Sequence, residues 1–318
     1  MIATMSSTIG AKGLLALALD SERRAAIKTA LRRISARFLE LPGGRPHVAG
    51  GGGARRSITD QQTGREVSTL SFTCNICGTR VRQWPVAAID RDVPSCAGCA
   101  SQVRFRSIVH LLSLEVHGAS MPLPQWPVRP DITGLGLSDS STYAQRLEAK
   151  TSYLNTFFHR APQLDICHPD RARAGTCDFL IATEVFEHVP PPVSRAFSGA
   201  FELLKPGGLL IMSVPFSLAP HTKEHFPDLY DFKLEQRGGH WVLINTRSDG
   251  TREEYSDLVF HGGPGSTLEM RLFSKDDVRR LLSQAGFTQI TFHDEQVLEW
   301  GIIHWAAWSL PVTARKPR

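Results

Sequence analysis

Apolar runs alternate with a helix-like segment in the middle of the chain. Phe179–Ala182 is a short apolar run, as expected for a strand that is buried on both faces of a sheet. Val193–Leu204 repeats apolar residues every three or four positions, the spacing of a helix lying on a sheet, and Lys205–Gly208 supplies the proline and glycines that end it. Leu209–Val214 is a second apolar run. This order predicts a parallel strand–helix–strand unit, and ligands bind at the carboxyl ends of such strands.

Similar patterns predict further elements on both sides of this unit. The predicted helices are Val103–Val116 and a segment from Ser274 to Gly286, where Ser274 is the expected N-cap. The predicted strands are Thr288–Phe292 and Ile303–Leu310, together with a hairpin of Trp241–Thr246 and Glu254–Phe260 that turns near Asp249–Gly250. Alternation of strands and helices predicts the α/β class.

A basic amphipathic segment is predicted near the start of the chain. Ser21–Leu41 has an apolar stripe at helical spacing, and arginine and lysine residues crowd much of the rest. Two interpretations remain open: peripheral contact with a membrane or a partner, or a solvated helix packed on the body or on a second copy. Pro42–Gly64 is glycine-rich and cannot bury a core, so we predict a flexible linker there.

Composition limits the classes of protein. The 318 residues, 42% of them hydrophobic, suffice for one large α/β domain and a small module. The net charge of +5 comes from residues 1–65, which hold 11 Lys or Arg and 4 Asp or Glu. Residues 119–318 hold 20 Lys or Arg and 23 Asp or Glu. This slightly acidic body disfavours a nucleic-acid partner. No segment approaches the roughly 20 apolar residues of a transmembrane helix, and the paired cysteines fit a reducing compartment, so we predict a cytoplasmic protein.

Four cysteines form two C-x-x-C pairs. Cys74 and Cys77 make the first pair, Cys96 and Cys99 the second, and eighteen residues separate them. This spacing is typical of a zinc site with four thiolate ligands. Such a site keeps no open coordination position, so we predict a structural zinc ion. Redox-active or merely buried cysteine pairs and an iron–sulfur site are the alternatives.

The stretch C-D-F-L-I-A-T-E-V-F-E-H-V, followed by L-K-P-G-G and an apolar strand, resembles the class I S-adenosylmethionine-dependent methyltransferases. The resemblance is closest to the ubiquinone-type, methyltransferase type 11-like branch, and spans roughly residues 130–310. It implies a Rossmann-like, seven-stranded methyltransferase domain. The predicted organisation is a basic helix with a linker (1–65), a zinc-ribbon-like module with its following helix (66–118), and the methyltransferase domain (119–318) with an insertion at about 217–270.

The resemblance implies a binding site for the cofactor S-adenosylmethionine. Gly134 and Gly136 would form the glycine-rich turn after the first strand, with Thr133 where the family carries an acid. Tyr153–Thr156 would be the second strand, and Asn155 would take the place of the acid that holds the ribose.

The third and fourth strands would complete this site. Asp165 and Ile166, in a third strand at Leu164–Ile166, would meet the adenine edge, although an aspartate there also suits the cap of a following helix. Thr183 and Glu184, at the end of the fourth strand, would lie beneath the sulfonium.

Three histidines are candidates for a general base. His188 follows the fourth strand and has a structural role as its alternative, and His221 and His225 lie in the insertion. The His-x-x-x-His spacing of the last two also suits a metal on a helix. Glu269 and Arg271 are expected to pair with each other.

Three functions compete at this point. The leading hypothesis is an S-adenosylmethionine-dependent methyltransferase that O-methylates a small molecule or glycan. An RNA methyltransferase with a zinc module is the second, and the acidic body argues against it. A non-catalytic zinc-bearing scaffold is the third, because Thr133 and Asn155 stand where the family has acids.

Overall fold

The structure is a computed structural model that describes residues 58–59, 64, 66–261, 265 and 267–318. The predicted basic helix at 21–41 lies outside the described residues. Within them the chain forms two compact units: the larger holds residues 58–223 and 272–318, and the smaller holds residues within 224–271. None of the helices seen in these ranges combines the length and apolar character that a membrane crossing requires.

The elements fall into the following ranges. The strands up to the middle of the chain are β1 (Ile58–Thr59), β2 (Glu66–Val67), β3 (Thr69–Thr73), β4 (Arg80–Pro85), β5 (Arg129–Leu137), β6 (Thr151–Thr156), β7 (Cys177–Thr183), β8 (Leu204–Ser213) and β9 (Phe216–Ser217). The later strands are β10 (Lys223–Glu224), β11 (Asp231–Arg237), β12 (His240–Thr246), β13 (Arg252–Tyr255), β14 (Phe260–His261), β15 (Thr267–Leu268), β16 (Arg271–Ser274), β17 (Thr288–Phe292) and β18 (Val312–Arg315). The helices are α1 (Val103–His117), α2 (Ser141–Glu148), α3 (Ser194–Leu203) and α4 (Lys275–Gln284), with 3₁₀ turns at Val86–Ala88, Leu123–Gln125, Arg171–Arg173, Phe186–His188 and Leu298–Trp300.

A six-stranded sheet forms the centre of the larger unit, with the strand order β17-β18-β8-β7-β5-β6. Strands β6, β5, β7 and β8 run parallel, and β18 pairs antiparallel with β8 and β17. The predicted α/β class is confirmed, as is the parallel unit of β7, α3 and β8. The K-P-G-G segment lies inside β8, so the strand follows directly where the helix ends at Leu203.

The predicted third strand at Leu164–Ile166 is wrong, which leaves six strands where seven were expected. Asp165 Oδ1 accepts a hydrogen bond from the backbone N–H of Cys167 at 2.8 Å and closes a turn there. Short polar side chains that bond to their own backbone in this way compete with strand pairing. A single parallel bridge between Phe157 and Gln163 is the pairing found in this region.

The predicted last strand at Ile303–Leu310 is also wrong, because β18 begins only at Val312. Residues 66–102, which contain the four paired cysteines, are called the cysteine module below. Ile303 is buried in a cluster that includes this module, and Trp305 Nε1 donates to the carbonyl of Ile89 at 2.6 Å. These residues are apolar because they pack on the module and not because they form a strand.

Both faces of the sheet are covered, which explains the unbroken apolar runs in its strands. Phe179 and Ile181 on one face join the cysteine module, α1 and α2 in one core cluster. Leu180 and Ala182, on the other face, pack with α3 and α4. In α4, Ser274 caps the helix by accepting a hydrogen bond from the N–H of Asp277, as predicted.

Two residues near the end of the predicted linker pair with the start of the cysteine module. Ile58–Thr59 pairs antiparallel with Glu66–Val67, and Ile58 is buried in the module's core. The rest of the predicted linker at 42–64, apart from Gly64, lies outside the described residues.

The smaller unit contains an antiparallel sheet in the order β11-β12-β13. The predicted hairpin is confirmed, with Leu243 paired to Tyr255, and β11 adds a strand that the sequence pattern did not predict. Phe226, Leu268 and Met270 are buried against Leu243 in the core of this unit.

Gly134 and Gly136 lie within β5 and not in the predicted turn. Neither has a positive φ, and each occupies a position where a neighbouring strand brings an aromatic ring against the backbone. A methyl group at position 134 would overlap the ring of Phe179, and one at position 136 would overlap the hydroxyl of Tyr153. These glycines are therefore needed for close packing between strands.

The substitution Gly134→Ala is expected to lower the free energy of unfolding by about 3 kcal/mol, because the added methyl overpacks a filled core. Urea unfolding of the full chain measures the change. Phe179→Leu removes the overlapping atoms, so the double variant should be more stable than the sum of the two single effects predicts. Additive effects would show that the ring and the glycine do not interact.

Candidate functional site

The four paired cysteines converge in the larger unit. Their sulfur atoms all lie within 4.8 Å of one another, and the Cys74–Cys99 and Cys77–Cys96 pairs are each 3.7 Å apart. Tetrahedral zinc with Zn–S bonds of about 2.3 Å requires sulfur–sulfur separations of about 3.8 Å. The arrangement therefore fits a four-thiolate zinc ion.

Two matching turns bring the cysteines together. The N–H of Gly78 donates to the carbonyl of Cys74, and the N–H of Ala100 donates to that of Cys96, each at 2.8 Å. Gly78 and Ala100 occupy equivalent places after the two pairs, and both have positive φ, at 77° and 55°. The two halves of the cluster are therefore built alike.

A buried arginine lies beside the cluster. Arg106 is fully buried, and it donates to Ser95 Oγ and to the carbonyls of Ser101 and Gly301. Burial lowers the pKa of Arg106 to about 10, against the opposing effect of the four cysteine sulfurs. A zinc ion with four thiolates carries a net negative charge, which would supply the charge that this guanidinium needs.

Polar side chains collect at the carboxyl ends of four neighbouring parallel strands. We call this set the strand-end network: Asp139 after β5, Asn155 in β6, Thr183 and Glu184 at the end of β7, Ser213 in β8, Tyr143 and Tyr153, and Arg91, Asp92 and Arg104 from the cysteine module and α1. Parallel strands bring their carboxyl ends to one edge of the sheet, which is where such folds bind ligands.

Asp139 forms the first half of the network. Its carboxyl group accepts hydrogen bonds from Tyr143 Oη at 2.6 Å and from Tyr153 Oη. Burial raises the pKa of Asp139 to about 7, although both tyrosines and Arg104 act in the opposite direction. The group is therefore a buried acid that holds its proton up to near neutral pH.

Asn155 fixes the backbone of the loop after β5. Its Oδ1 accepts a hydrogen bond from the N–H of Asp139, and its Nδ2 donates one to the carbonyl of Asp139, both at 2.9 Å. A ribose-binding role for Asn155 stays a prediction, and the structure shows what its amide does within the protein. Neighbouring Ser138 has a φ of 59°, so this loop is tightly constrained.

Glu184 forms the second half of the network. Its Oε1 accepts from Arg91 Nη2 at 2.5 Å and from Ser213 Oγ at 2.9 Å. Burial alone would raise the pKa of Glu184, but Arg91 and Arg104 outweigh it and lower the pKa below its usual value. Glu184 also has a φ of 56°, a conformation that non-glycine residues adopt rarely and often at functional sites.

Asp92 links the two arginines of the network. It accepts from Arg91 Nη1 at 2.6 Å and from Arg104 Nε at 3.0 Å. Burial acts to raise the pKa of Asp92, but the two arginines lower it to about 2. Arg104 Nη1 reaches Thr183 Oγ1 at 3.5 Å, so the chain of contacts runs from the cysteine module to the sheet.

Asp165 and Ile166 lie in the turn that replaces the predicted third strand. Asp165 Oδ2 is 3.0 Å from His168 Nδ1, and the carbonyl of Ile166 fits against Gly199 in α3. The Asp165 side chain is thus engaged in local structure and the Ile166 side chain is buried in the core, and their contact with an adenine ring stays a prediction.

The candidate histidines have different surroundings. His188 Nε2 is 3.5 Å from Oε1 of the fully buried Glu187, in the 3₁₀ turn after β7. His221 lies in the larger unit, directly before Thr222, whose N–H donates to Asp277 Oδ2 at 2.6 Å. His225 belongs to the smaller unit.

The expected pairing of Glu269 with Arg271 is wrong. In the smaller unit Glu269 lies between two imidazoles, with its oxygens 2.8 Å from His225 Nε2 and 2.9 Å from His261 Nε2. Arg271 instead donates to Glu224 at 2.8 Å.

The residues of this site suit S-adenosylmethionine at the Glu184 end and not at the β5 glycines. The carboxylate of Glu184 already holds a guanidinium, so it is suited to a positively charged group such as a sulfonium. Gly134 and Gly136, however, are covered by Phe179 and Tyr153 and do not offer the glycine-rich turn that was expected.

Sequence interpretation missed Arg91, Asp92, Asp139 and Tyr143 as members of this site. Asp139 was detectable in principle, because it is the acid that follows the apolar residues of β5. Arg91 and Asp92 lie between the two cysteine pairs, and no local pattern connects them with a glutamate 93 positions away.

Comparison with known proteins identifies a family. A family model described as a methyltransferase domain matches residues 127–291, which is just over half of the chain. Comparison with curated proteins gives no match. The matched range contains β5 to β8, whose carboxyl ends carry most of the strand-end network.

Several solved structures are similar to the larger part of the chain. The 1,6-didemethyltoxoflavin-N1-methyltransferase of Burkholderia thailandensis, solved with S-adenosylhomocysteine, is 16% identical, covers 67% of this chain and 76% of its own, and has a TM-score of 0.36. A sugar N-methyltransferase from Streptoalloteichus is 13% identical over 67% of this chain and 86% of its own, with a TM-score of 0.39. An S-adenosylmethionine-dependent methyltransferase from Clostridium acetobutylicum is 11% identical, covers 67% of this chain and 99% of its own, and has a TM-score of 0.34.

The family match decides the assignment. The chain belongs to the methyltransferase-domain family, within the class I S-adenosylmethionine-dependent methyltransferases that its motifs resemble.

The substitution Asp139→Asn is expected to change how stability depends on pH. Between the usual aspartate pKa of 3.8 and the folded value of about 7, the folded protein keeps a proton that the unfolded chain has released. Stability of the unsubstituted protein therefore falls as pH rises through this window, by at most about 1.4 kcal/mol per pH unit from this group. Asparagine does not titrate, so the stability of the variant should fall less as pH rises through this window.

Urea unfolding at several pH values between 5 and 7 measures how steeply the free energy of unfolding changes with pH in the variant and in the unsubstituted protein. Tyr153→Phe is the matched control, because it removes one hydroxyl from the same cluster, keeps the carboxyl group, and should keep the fall with pH. Equal slopes for Asp139→Asn and the unsubstituted protein would show that Asp139 is already ionised.

Proposed function

We propose that this member of the methyltransferase-domain family transfers the methyl group of S-adenosylmethionine to a hydroxyl group of a small molecule or glycan. The observation that carries the proposal is the strand-end network, because most of its residues lie within the family match and at the edge of the sheet where parallel folds bind ligands. Bound S-adenosylmethionine would supply an electrophilic methyl group on a positively charged sulfur.

The end of β7 is the part of the site best suited to that charge. Arg91 and Arg104 lower the pKa of Glu184, and Ser213 holds its carboxylate in place, so the carboxylate is oriented to attract a sulfonium. Thr183 is buried beside it and lines the same edge. Burial raises the pKa of Asp139 to about 7, so this carboxyl group is only partly ionised near neutral pH, and its hydrogen bonds with Tyr143 and Tyr153 would hold the loop after β5 in shape.

A hydroxyl acceptor requires a group that takes its proton. We assign this role to His188, since the carboxylate of Glu187 lies beside its ring and would stabilise the imidazolium that forms. His221 and His225 remain the other candidates. A small-molecule or glycan acceptor agrees with the slightly acidic composition of residues 119–318, which suits a nucleic acid poorly.

The four cysteines are proposed to bind one structural zinc ion. The separations of their sulfur atoms suit tetrahedral coordination, and Arg106 would neutralise part of the charge of the four thiolates. A cytoplasmic location, inferred from the cysteine pattern, stays a prediction.

A non-catalytic scaffold is the second candidate function. Two observations favour it: Arg91 already neutralises Glu184, and the glycines of β5 are covered by aromatic side chains. Ligand binding separates the two functions, because a scaffold has no use for the cofactor.

Isothermal titration calorimetry of the full chain with S-adenosylmethionine and with S-adenosylhomocysteine tests the proposed function. We expect both to bind with dissociation constants in the micromolar range, and isotopically labelled methyl groups to appear on a hydroxyl compound in an acceptor screen. His188→Gln should then slow transfer by about 10²-fold or more while the affinity for S-adenosylhomocysteine stays the same. No binding of either compound at millimolar concentration would favour the scaffold.

Elemental analysis of the purified protein tests the zinc proposal. We expect one zinc ion per chain, and we expect Cys96→Ser to lose it and to unfold at a lower temperature, because metal binding contributes to the folding of the module. Cys167→Ser, a change outside the cluster, is the control and should keep the metal. Iron in place of zinc would favour the iron–sulfur alternative.

A further inference from the structure

Arg91 connects the cysteine module with the carboxyl end of β7. It lies between the two cysteine pairs, and its guanidinium donates to Glu184 Oε1 at 2.5 Å, to Asp92 Oδ2 at 2.6 Å and to the carbonyl of Ser309 at 3.1 Å. The side chains of Arg91 and Glu184 are only 17% and 19% exposed, so water screens their attraction weakly.

The charges of this part of the network already balance. Arg91 and Arg104 provide two positive charges, and Asp92 and Glu184 provide two negative ones. A further cation placed on Glu184 would leave one positive charge in excess at a half-buried site, which is unfavourable. Because Arg91 already donates to Oε1 of Glu184, a cationic ligand has to compete with Arg91 for this carboxylate.

Arg91 has a second partner that permits this exchange. Asp92 is its neighbour in the chain and already accepts a hydrogen bond from its Nη1, so the guanidinium stays paired if its Nη2 leaves Glu184. Glu184 in turn stays anchored by Ser213. The exchange leaves neither charge without a partner within the described residues.

We infer that Arg91 is an internal counter-cation on Glu184, which a positively charged ligand displaces and a neutral ligand leaves in place. The inference rests on the proposed function, in which the cationic ligand is S-adenosylmethionine and the neutral one is its product, S-adenosylhomocysteine. Methyl transfer removes the positive charge from sulfur, so Arg91 can then return to Glu184. Arg91 thus lowers the preference of the site for S-adenosylmethionine and sets how the two ligands compete.

The ratio of the two dissociation constants tests this inference, because a purely structural role of Arg91 would weaken both ligands alike. In Arg91→Met, Glu184 loses its internal partner and should prefer the cation more strongly. We expect the preference for S-adenosylmethionine over S-adenosylhomocysteine to rise about tenfold in calorimetry at constant salt, which corresponds to about 1.4 kcal/mol. In Glu184→Gln the preference should fall below that of the unsubstituted protein.

Three further variants make the result interpretable. Arg91→Gln keeps hydrogen-bond donors without the charge. If Arg91→Met does not fold, Arg91→Gln must show the same rise in the preference for S-adenosylmethionine. Arg91→Lys keeps the charge and should restore a ratio close to the original. Arg280→Met breaks an exposed arginine–aspartate pair on α4 and should leave the ratio unchanged.

The possible failures are distinct. If both ligands bind but the ratio is the same with and without the charge at position 91, the inference is overturned and the proposed function stands. If neither ligand binds the unsubstituted protein or any variant, the proposed function fails and the inference fails with it.

Discussion

A charge that leaves water has to be neutralised by its surroundings, and this constraint organises the functional part of the molecule. Glu184 meets the requirement through Arg91, and Asp139 meets it below neutral pH by staying protonated, because burial raises its pKa to about 7. In the smaller unit, Glu269 lies between two imidazoles, which lower its pKa to about 2 although burial acts to raise it. The contacts of Arg91 with Glu184 and of His225 with Glu269 join residues 93 and 44 positions apart, so they also help to determine which segments meet.

The cysteine module is part of the larger unit and not an appendage. Cys74 and Ile76 share a core cluster with Phe179 and Ile181 of the sheet, and the salt bridge of Arg91 with Glu184 and the hydrogen bond of Arg104 to Thr183 continue the contact at the strand ends. A metal at the cysteines would therefore help to hold residues of the strand-end network, although it would be far too enclosed by its four ligands to take part in the chemistry.

Sequence patterns predicted the parts of the fold that depend on local periodicity. The apolar run at Phe179, the helix before Lys205 and the cap at Ser274 are each determined within a few residues, and all three were found. The prediction of a third strand failed because a turn closed by Asp165 competes with it. Apolar character alone also misassigned the segment around Trp305, since packing and strand formation select the same residue types.

The site itself was less accessible to sequence interpretation. The acid after β7 was recognised by its place in a motif, but its partner Arg91 comes from another part of the chain. The role of Gly134 was assigned from a family motif, whereas its place in the structure depends on a ring in an adjacent strand. Contacts of this kind are set by how strands lie beside one another, which no window of the sequence contains.

The packing of aromatic side chains on the glycines of β5 has an evolutionary consequence. Positions 134 and 179 share one volume, and positions 136 and 153 share another, so neither glycine can gain a side chain unless its aromatic partner becomes smaller. Homologous chains that carry a side chain at 134 or 136 should therefore carry a smaller residue at the matching position. A lineage that lost Tyr153 would regain space above β5 and, with it, room for a ligand that this chain has filled with its own side chains.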